Sequence, residues 1–590
     1  MKSERGVMMR AAASLPATGR DVAQDGLPRL SLLLVLAVTL GVRLLHMGSA
    51  LRSPLTYQPG PDEDFYFRFG QAVAGGGGAL TPEFAFMDPA YGYILGLIFK
   101  LLGPNLFAVY FLQVLLDTVT AYCIFLIGRE LGRPRAGLYA ALLYGVTCTA
   151  VLFPSTLLKA TWVANFMALW VLSALVLLRA QRTWAWFAFG ILCGYGVALR
   201  SNLLLMTGLA AVLLPWLQVV WSKRPAAEAA RRAVILVVGF ALPIALLAVR
   251  NGEVSKSFSP LPNNGGVVLH QLYNPDNPRA VTWIPKFVNY SHPSEIWRGY
   301  SAEAQRRIGR ALTPHEVDRY WRGQAVSYIG SHFGSVLGNM FRKLSEFVAY
   351  IEVPNNRSLV EERVFSPVLR ALPSPFGWLF ALGVPGIAIL LARDRRAVLL
   401  VAPILATMVT VAIFFAEDRF RFHSVPALAL GAGLFLDDVY VWIRSGQAKK
   451  WLVGLGASLL LGGTSVLLAQ QMAQPQVTWD RAIWGYLKMG NKDRAKELAL
   501  KAATDDPRNA KILEALGYIA FVEERYPDAV EHLRRAIEVK PDSHIARYNL
   551  AKALIKTGDR AGAFKEAESA VRLAPLPDYQ ALVEELSAGR

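Results

Sequence analysis

Cysteine is nearly absent: three residues in 590, Cys123, Cys148 and Cys193. All three fall inside apolar runs without metal-ligand spacing, which excludes a cysteine metal site and makes each a small core residue. Histidine is sparse too, eight in all, and His270, His292 and His315 stand apart with no ligand spacing between them; no zinc site is read from them. Charged residues are only 18% of the chain, too few for one soluble domain of this length. The first apolar run lacks a small-residue cleavage site after it, so it reads as an uncleaved anchor and not a removed signal peptide.

What abounds is apolar sequence: 54% of residues are hydrophobic and the mean hydropathy is positive. Apolar segments recur at about 31–47, 106–128, 136–153, 157–178, 184–199, 202–221, 233–249, 376–392, 397–415, 424–443 and 451–470. Most approach the ~20 residues that cross a hydrocarbon core, the shortest being 184–199. The run 90–102 would make a helix of only roughly 20 Å at ~1.5 Å per residue, and is expected to lie flat on the outer surface. Net charge is +18, but the cations lie mostly between apolar runs. They fit orientation signals and anionic lipid better than nucleic acid, which is not expected as a partner. With the N-terminus inside and 90–102 not crossing, Arg129/Arg133/Arg135, Arg179/Arg182, Lys223/Arg224/Arg231/Arg232, Arg393/Arg395/Arg396 and Arg444/Lys449/Lys450 all fall inside. If 90–102 crossed, every cluster would flip outward. The pattern predicts eleven crossings, N-terminus in and C-terminus out.

Against this background one polar stretch stands out, Tyr57-Gln58-Pro59-Gly60-Pro61-Asp62-Glu63-Asp64-Phe65-Tyr66, directly after the first apolar segment. Five cations break the inside pattern by lying at outer ends: Lys159, Arg200, Arg250, Arg419 and Arg421. Singly, each is a snorkelling side chain and each carboxylate a solvated loop end. Together on one face they predict a site that holds an anion beside a carboxylate, and a lipid-linked phosphate is the anion a membrane surface presents.

Two further regions complete the chain. Residues 251–375 form a long polar outer segment, expected to cap the outer face, with a helix opening at Thr313-Pro314-His315-Glu316 and running towards Tyr350. From 478 onward, Ala495/Ala529/Ala563, Ala502/Ala536/Ala570, Pro507/Pro541/Pro575 and Gly490/Glu524/Gly558 each recur at a period of 34. Four registers at one period predict three tetratricopeptide repeats, with Asp578 to Leu586 as a capping helix. The expected division is a tail 1–28, a transmembrane catalytic module 29–250 with outer loop 48–105, a loop domain 251–375, transmembrane helices 376–472 and repeats 478–590, all-α throughout.

The first ~440 residues resemble the GT-C superfamily of polyprenyl-phosphate-dependent glycosyltransferases, near bacterial relatives of protein O-mannosyltransferases and of the aminoarabinose transferase of lipid A. Pro61-Asp62-Glu63-Asp64-Phe65-Tyr66 resembles the family's Asp-Glu motif. Asp88-Pro89-Ala90-Tyr91 resembles its His-Pro-Pro-Leu segment, with the His and the second Pro missing. Gly196-Val197-Ala198-Leu199-Arg200-Ser201-Asn202 resembles its Leu-Thr-Arg-Pro turn, and Glu417-Asp418-Arg419-Phe420-Arg421-Phe422 its Arg-Tyr-Arg segment. Asn263-Asn264-Gly265-Gly266 and Tyr320-Trp321-Arg322 are similar to outer-loop patterns of bacterial members. Lys159 stands where many relatives have an acid.

The resemblance implies an enzyme of a bacterial cytoplasmic membrane, with its active site and repeats outside. It would move a sugar from a polyprenyl phosphate to an acceptor hydroxyl, of a protein, lipid or glycan, with inversion. Asp62 is the expected base, with Glu63 orienting it or contacting the acceptor. Lys159, Arg200, Arg419 and Arg421 are expected to hold the leaving phosphate; Asp64, Arg250 and His423 are further candidates. No metal is required for this chemistry, although Asp62, Glu63 and Asp64 offer ligands for a divalent cation. The repeats are expected to recruit an acceptor or partner. Two rival classes fit less of the chain. A transporter wants its charges mid-bilayer, not at outer ends. A membrane-anchored repeat scaffold needs fewer crossings and no capping loop.

Overall fold

The computed structural model describes residues 29–76, 81–288, 293–373 and 376–588, so the expected tail 1–28 lies outside the described residues, as does His292. Among the described residues every regular element is a helix. Nine of the described helices are long and apolar enough to cross a membrane, and the bent pair Pro134–Gly145 and Cys148–Ser155 would make a tenth. Thr183–Leu199, with 17 residues, falls just below that length and corresponds to the shortest expected crossing. All-α, multi-pass architecture is thus as the sequence indicated.

Close helix packing is set by glycine. A Cβ on Gly386 would stand 1.9 Å from the Gly431 carbonyl, and one on Gly239 2.1 Å from that of Phe187. The pairs Phe376–Arg393 with Val425–Arg444, and Thr183–Leu199 with Ala226–Ser255, therefore meet backbone to backbone. Buried among the membrane helices, Arg43 pairs with Asp117 at 2.5 Å, both fully covered, and the Tyr144 hydroxyl also donates to Asp117. At the end of the bundle away from the loop segment, Arg133 binds Asp437 at 2.6 Å and Asp438 at 3.0 Å, and Arg393 joins Asp438. Several cations expected on the inner face thus cross-link helices.

Alternation of helix direction brings residues 51–76 and 81–105, the turns at 156–159 and 200–203, residues 256–288 and 293–373 and the turn at 414–424 to the opposite end. There Ala90–Leu102 packs on Pro61–Ala74: a Cβ on Gly92 would meet the Phe69 ring at 2.2 Å and one on Gly96 would meet Val73 at 2.3 Å. The helix after Thr313 forms as expected, with a capping box between Thr313 and Glu316, but ends at Ser331. A second helix, Phe333–Val348, follows. Gly330 and Gly334 flank the break. The two halves bury against different partners, Gly265–Leu272 for the first and Val398–Ile413 for the second.

The C-terminal array is three helix pairs, Trp479–Lys488 with Lys492–Asp505, Ala510–Val522 with Tyr526–Val539, and His544–Lys556 with Arg560–Leu573, closed by Pro577–Ala588. Ala495, Ala529 and Ala563 are fully buried at the repeat contact. Gly490, Glu524 and Gly558 all take positive φ, 76°, 61° and 87°, the left-handed turn that links the two helices of a pair. The first repeat helix seats on the membrane half: a Cβ on Gly485 would lie 2.0 Å from the Pro54 carbonyl.

Candidate active site

The run of carboxylates is first of all a helix start. Pro61 occupies the first turn of Pro61–Ala74, and Asp62, Glu63 and Asp64 place negative charge at its N-terminus. Glu63 returns to accept from the Gly60 N–H at 2.8 Å, closing a capping box. Its other oxygen accepts from Leu157 N–H at 3.2 Å, and Arg357 grips it at 2.9 Å with the two side chains 0% and 3% exposed. Arg357 in turn binds Glu362 at 2.8 Å. Glu63 is therefore sealed into the frame and is not brought to the cavity. Asp64 points outward to Arg68 at 2.8 Å on the same helix.

Asp62 faces the other way. Arg419 pairs with it, Asn356 Nδ2 donates to it at 3.0 Å, and the Asp62 N–H donates back to Asn356 Oδ1 at 3.0 Å. Burial opposes ionisation of this carboxyl. Arg419, Lys159 and the Asn356 bond together outweigh it and hold the pKa below the usual carboxylate value. Arg419 is shared with Glu417, whose carboxylate lies 3.1 Å from Nε and also accepts from Asn355 at 2.6 Å. Burial pushes the Glu417 carboxyl up.

On the membrane side of Asp62 a cavity of about 20 Å³ is lined by Tyr66, Lys159, Arg200 and Arg419. Lys159 binds Asp88 at 2.5 Å, and Asp88 also accepts from the Ser201 N–H at 3.1 Å. Arg200 lies 3.9 Å over the Phe420 ring and 3.4 Å from His423 Nε2. On the loop side a cavity of about 300 Å³ is lined by Asp62, Asn264, Gln271, Asn355, Asn356 and Arg419 among others. The Asp62–Arg419 pair stands between the two.

Of the sequence candidates, Asp62, Lys159, Arg200, Arg419 and His423 converge. Arg421 does not: its guanidinium is wholly buried, donating to the carbonyls of Glu346 at 3.0 Å, Phe347 at 3.2 Å and Ala349 at 2.9 Å and pairing with Glu352 at 2.6 Å. Arg250 is spent on the Phe84 carbonyl at 2.9 Å and the Tyr93 hydroxyl at 3.3 Å. The three motif carboxylates diverge towards Arg419, Arg357 and Arg68, so a divalent ion held jointly by them does not fit this geometry. Sequence reasoning gave no role to Asp88, Asn355, Asn356, Arg357 or Arg481. Arg481, from the first repeat helix, donates to the carbonyls of Asn356 at 2.8 Å and Gln58 at 3.0 Å, so the repeats brace the loop that presents Asp62.

Residues 87–248 match the model of the dolichyl-phosphate-mannose-protein mannosyltransferase family. Over those residues the membrane half resembles the GT-C glycosyltransferases. That match takes in Asp88, Lys159 and Arg200 and leaves Asp62 and Arg419 outside it. Tetratricopeptide repeat models match 481–538 and 520–586. No curated protein matches the chain. Among solved structures, the Archaeoglobus fulgidus oligosaccharyltransferase tethered with an acceptor peptide is 14% identical at a TM-score of 0.44, covering 79% of this chain and 58% of that one. The oligosaccharyltransferase AglB of the same organism, in complex with an inhibitory peptide and a dolichol-phosphate, is 14% identical at 0.41, covering 77% and 57%. This chain thus spans less than two thirds of those enzymes' length. Pseudomonas aeruginosa pilF is 20% identical at 0.17, covering 25% and 64%.

Proposed function

We propose that the protein is an inverting glycosyltransferase that moves a sugar from a polyprenyl phosphate to an acceptor hydroxyl at the loop-domain face of the membrane. The observation that carries this is Asp62 between two cavities, one cationic on the membrane side, the other lined by Asn264, Gln271, Asn355 and Asn356 among apolar side chains such as Phe86, Ile284 and Phe415. The acceptor hydroxyl enters from the loop side and gives its proton to Asp62 as its oxygen bonds the anomeric carbon. The bond to the phosphate oxygen breaks, and that oxygen keeps the electron pair. Arg200, with Lys159 and Arg419, meets the charge that develops there.

The ion pairs explain how the base is kept ready. Arg419 holds Asp62 ionised but lowers its basicity. A donor phosphate is too large for the roughly single-water space among the cations, so it must draw Arg419 and Lys159 from their carboxylates. Basicity then returns to Asp62 only when donor is bound. The face is external, the carrier membrane is the bacterial cytoplasmic one, and the repeats hold the acceptor or a partner beside the loop domain.

Radiolabelled polyprenyl-phosphate sugars, offered to the full chain in nanodiscs, test this. Wild type should transfer label, and Arg200→Ala should raise the donor KM by about tenfold or more for one lost charge-assisted contact. Donor dependence unchanged in Arg200→Ala would remove that residue from phosphate binding. Solute flux without transfer would favour a transporter.

A further inference from the structure

Beside the Asp62 cavity lies a larger one, about 660 Å³, which shares Thr282, Phe415 and Glu417 with it. Its wall includes Leu468, Gln471 and Met472 from the end of the last membrane helix, Ala448–Gln470, and the residues just beyond it. The opposite wall carries Arg342, Lys343 and Glu346 of Phe333–Val348, and Arg279. Both carboxylates here are engaged: Glu346 by Arg342, Glu417 by Arg419, Asn355 and Thr282. The cations are not all matched. Lys343 is 2% exposed and its ammonium has no hydrogen-bond partner among the described residues; it lies 5.2 Å over the Tyr273 ring. Burial, with Arg342 beside it, draws its pKa down to about 8, so it still carries charge at neutral pH. Arg279 is exposed at the same wall.

A buried ammonium without an acceptor is costly unless something supplies the missing anion. The setting says what kind. The cavity is cationic on one side, apolar on the other, and sits where a membrane helix ends. We propose that it binds the phosphate of a membrane amphiphile, Lys343 meeting the phosphate and Leu468, Met472 and Phe415 the start of the alkyl chain. Resting on the glycosyl-transfer reading, this amphiphile is the acceptor: its hydroxyl passes Thr282 and Glu417 to reach Asp62, while the donor phosphate occupies the Lys159–Arg200 side.

Binding of dodecyl phosphate to the full chain in dodecyl maltoside at neutral pH tests the site without requiring turnover. Wild type should bind saturably, Lys343→Arg about as tightly, and Lys343→Met at least about tenfold more weakly. Without ligand, Lys343→Met should melt no lower than wild type, since it removes an unpaired buried charge. Lys343→Met binding as wild type overturns the proposal, as does dodecanol or inorganic phosphate binding as tightly as dodecyl phosphate. A clearly lower melting temperature for Lys343→Met also overturns it, because Lys343 would then have a structural partner. Asp62→Asn should bind dodecyl phosphate normally. If it binds but still transfers sugar, the catalytic assignment falls and the lipid-phosphate site stands.

Discussion

Two neighbouring carboxylates, Asp62 and Glu63, each meet an arginine far along the chain, 357 and 294 residues away, yet they differ in what surrounds the pair. Asp62–Arg419 is 16% and 20% exposed and opens on a cavity to either side. Glu63–Arg357 is sealed, and Glu63 also accepts from the Gly60 and Leu157 N–H groups. The same division repeats at Arg419 and Arg421, two residues apart, one in the cavity and one fastened to backbone carbonyls. Charge alone does not make a site; charge with room beside it does. The sealed pairs are what hold the open pair in register.

The largest effect expected from breaking this comparison is on the sealed side. Arg421→Leu leaves Glu352 without its cation and should cost about 3–5 kcal/mol of stability, read as a lower melting temperature in nanodiscs; Glu63→Ala strips Arg357 of one of its two carboxylates, Glu362 remaining, and should cost less. Arg419→Ala, on the open side, should melt within about 1–2 kcal/mol of wild type while transfer falls by about a hundredfold, roughly 2.7 kcal/mol of transition-state stabilisation. Next in size is Arg481→Ala. It should lower kcat about tenfold through looser placement of Asn356 and Asp62, with Arg481→Lys recovering part of that. Hydrogen exchange at residues 57–64 should rise in step.

Acidity sharpens the contrast further. Asp62 has a folded pKa below its unfolded one, so the stability it adds is present above the ordinary carboxylate value of about 3.9 and is lost as pH falls through the folded pKa. Transfer should therefore hold level from pH 7 down to about pH 5 as far as Asp62 is concerned. In Arg419→Gln the acid limb should move up, because the cation that keeps Asp62 ionised is gone. The smallest effect lies in the repeats: Glu524 sits at φ 61° where its two counterparts are glycine, and Glu524→Gly should gain about 0.5–1 kcal/mol.

Helices and repeats were legible because periodicity reports them: the 34-residue register placed Ala495, Ala529 and Ala563 at the buried contact. The end of the bundle that gathers the site was also legible, since helix parity fixes which turns share a face. What sequence could not give is rotation within a turn. Asp62 and Glu63 are about 100° apart on one helix, and only Arg357 and Asn356, contributed by a distant loop, decide which of them opens to the cavity. Arg421 looked like a phosphate ligand because nothing local reveals the carbonyls of 346–351 closing around it. Asp88 and Lys159, the two departures from the family pattern, were separate oddities along the chain; in space they are partners at 2.5 Å.

The rate of sugar transfer by Asp62→Asn, measured in nanodiscs beside its melting temperature, tests the division most directly. Loss of about a thousandfold or more in rate, with melting unchanged within a degree or two, is the expected result. Turnover close to wild type in a folded Asp62→Asn protein would contradict it.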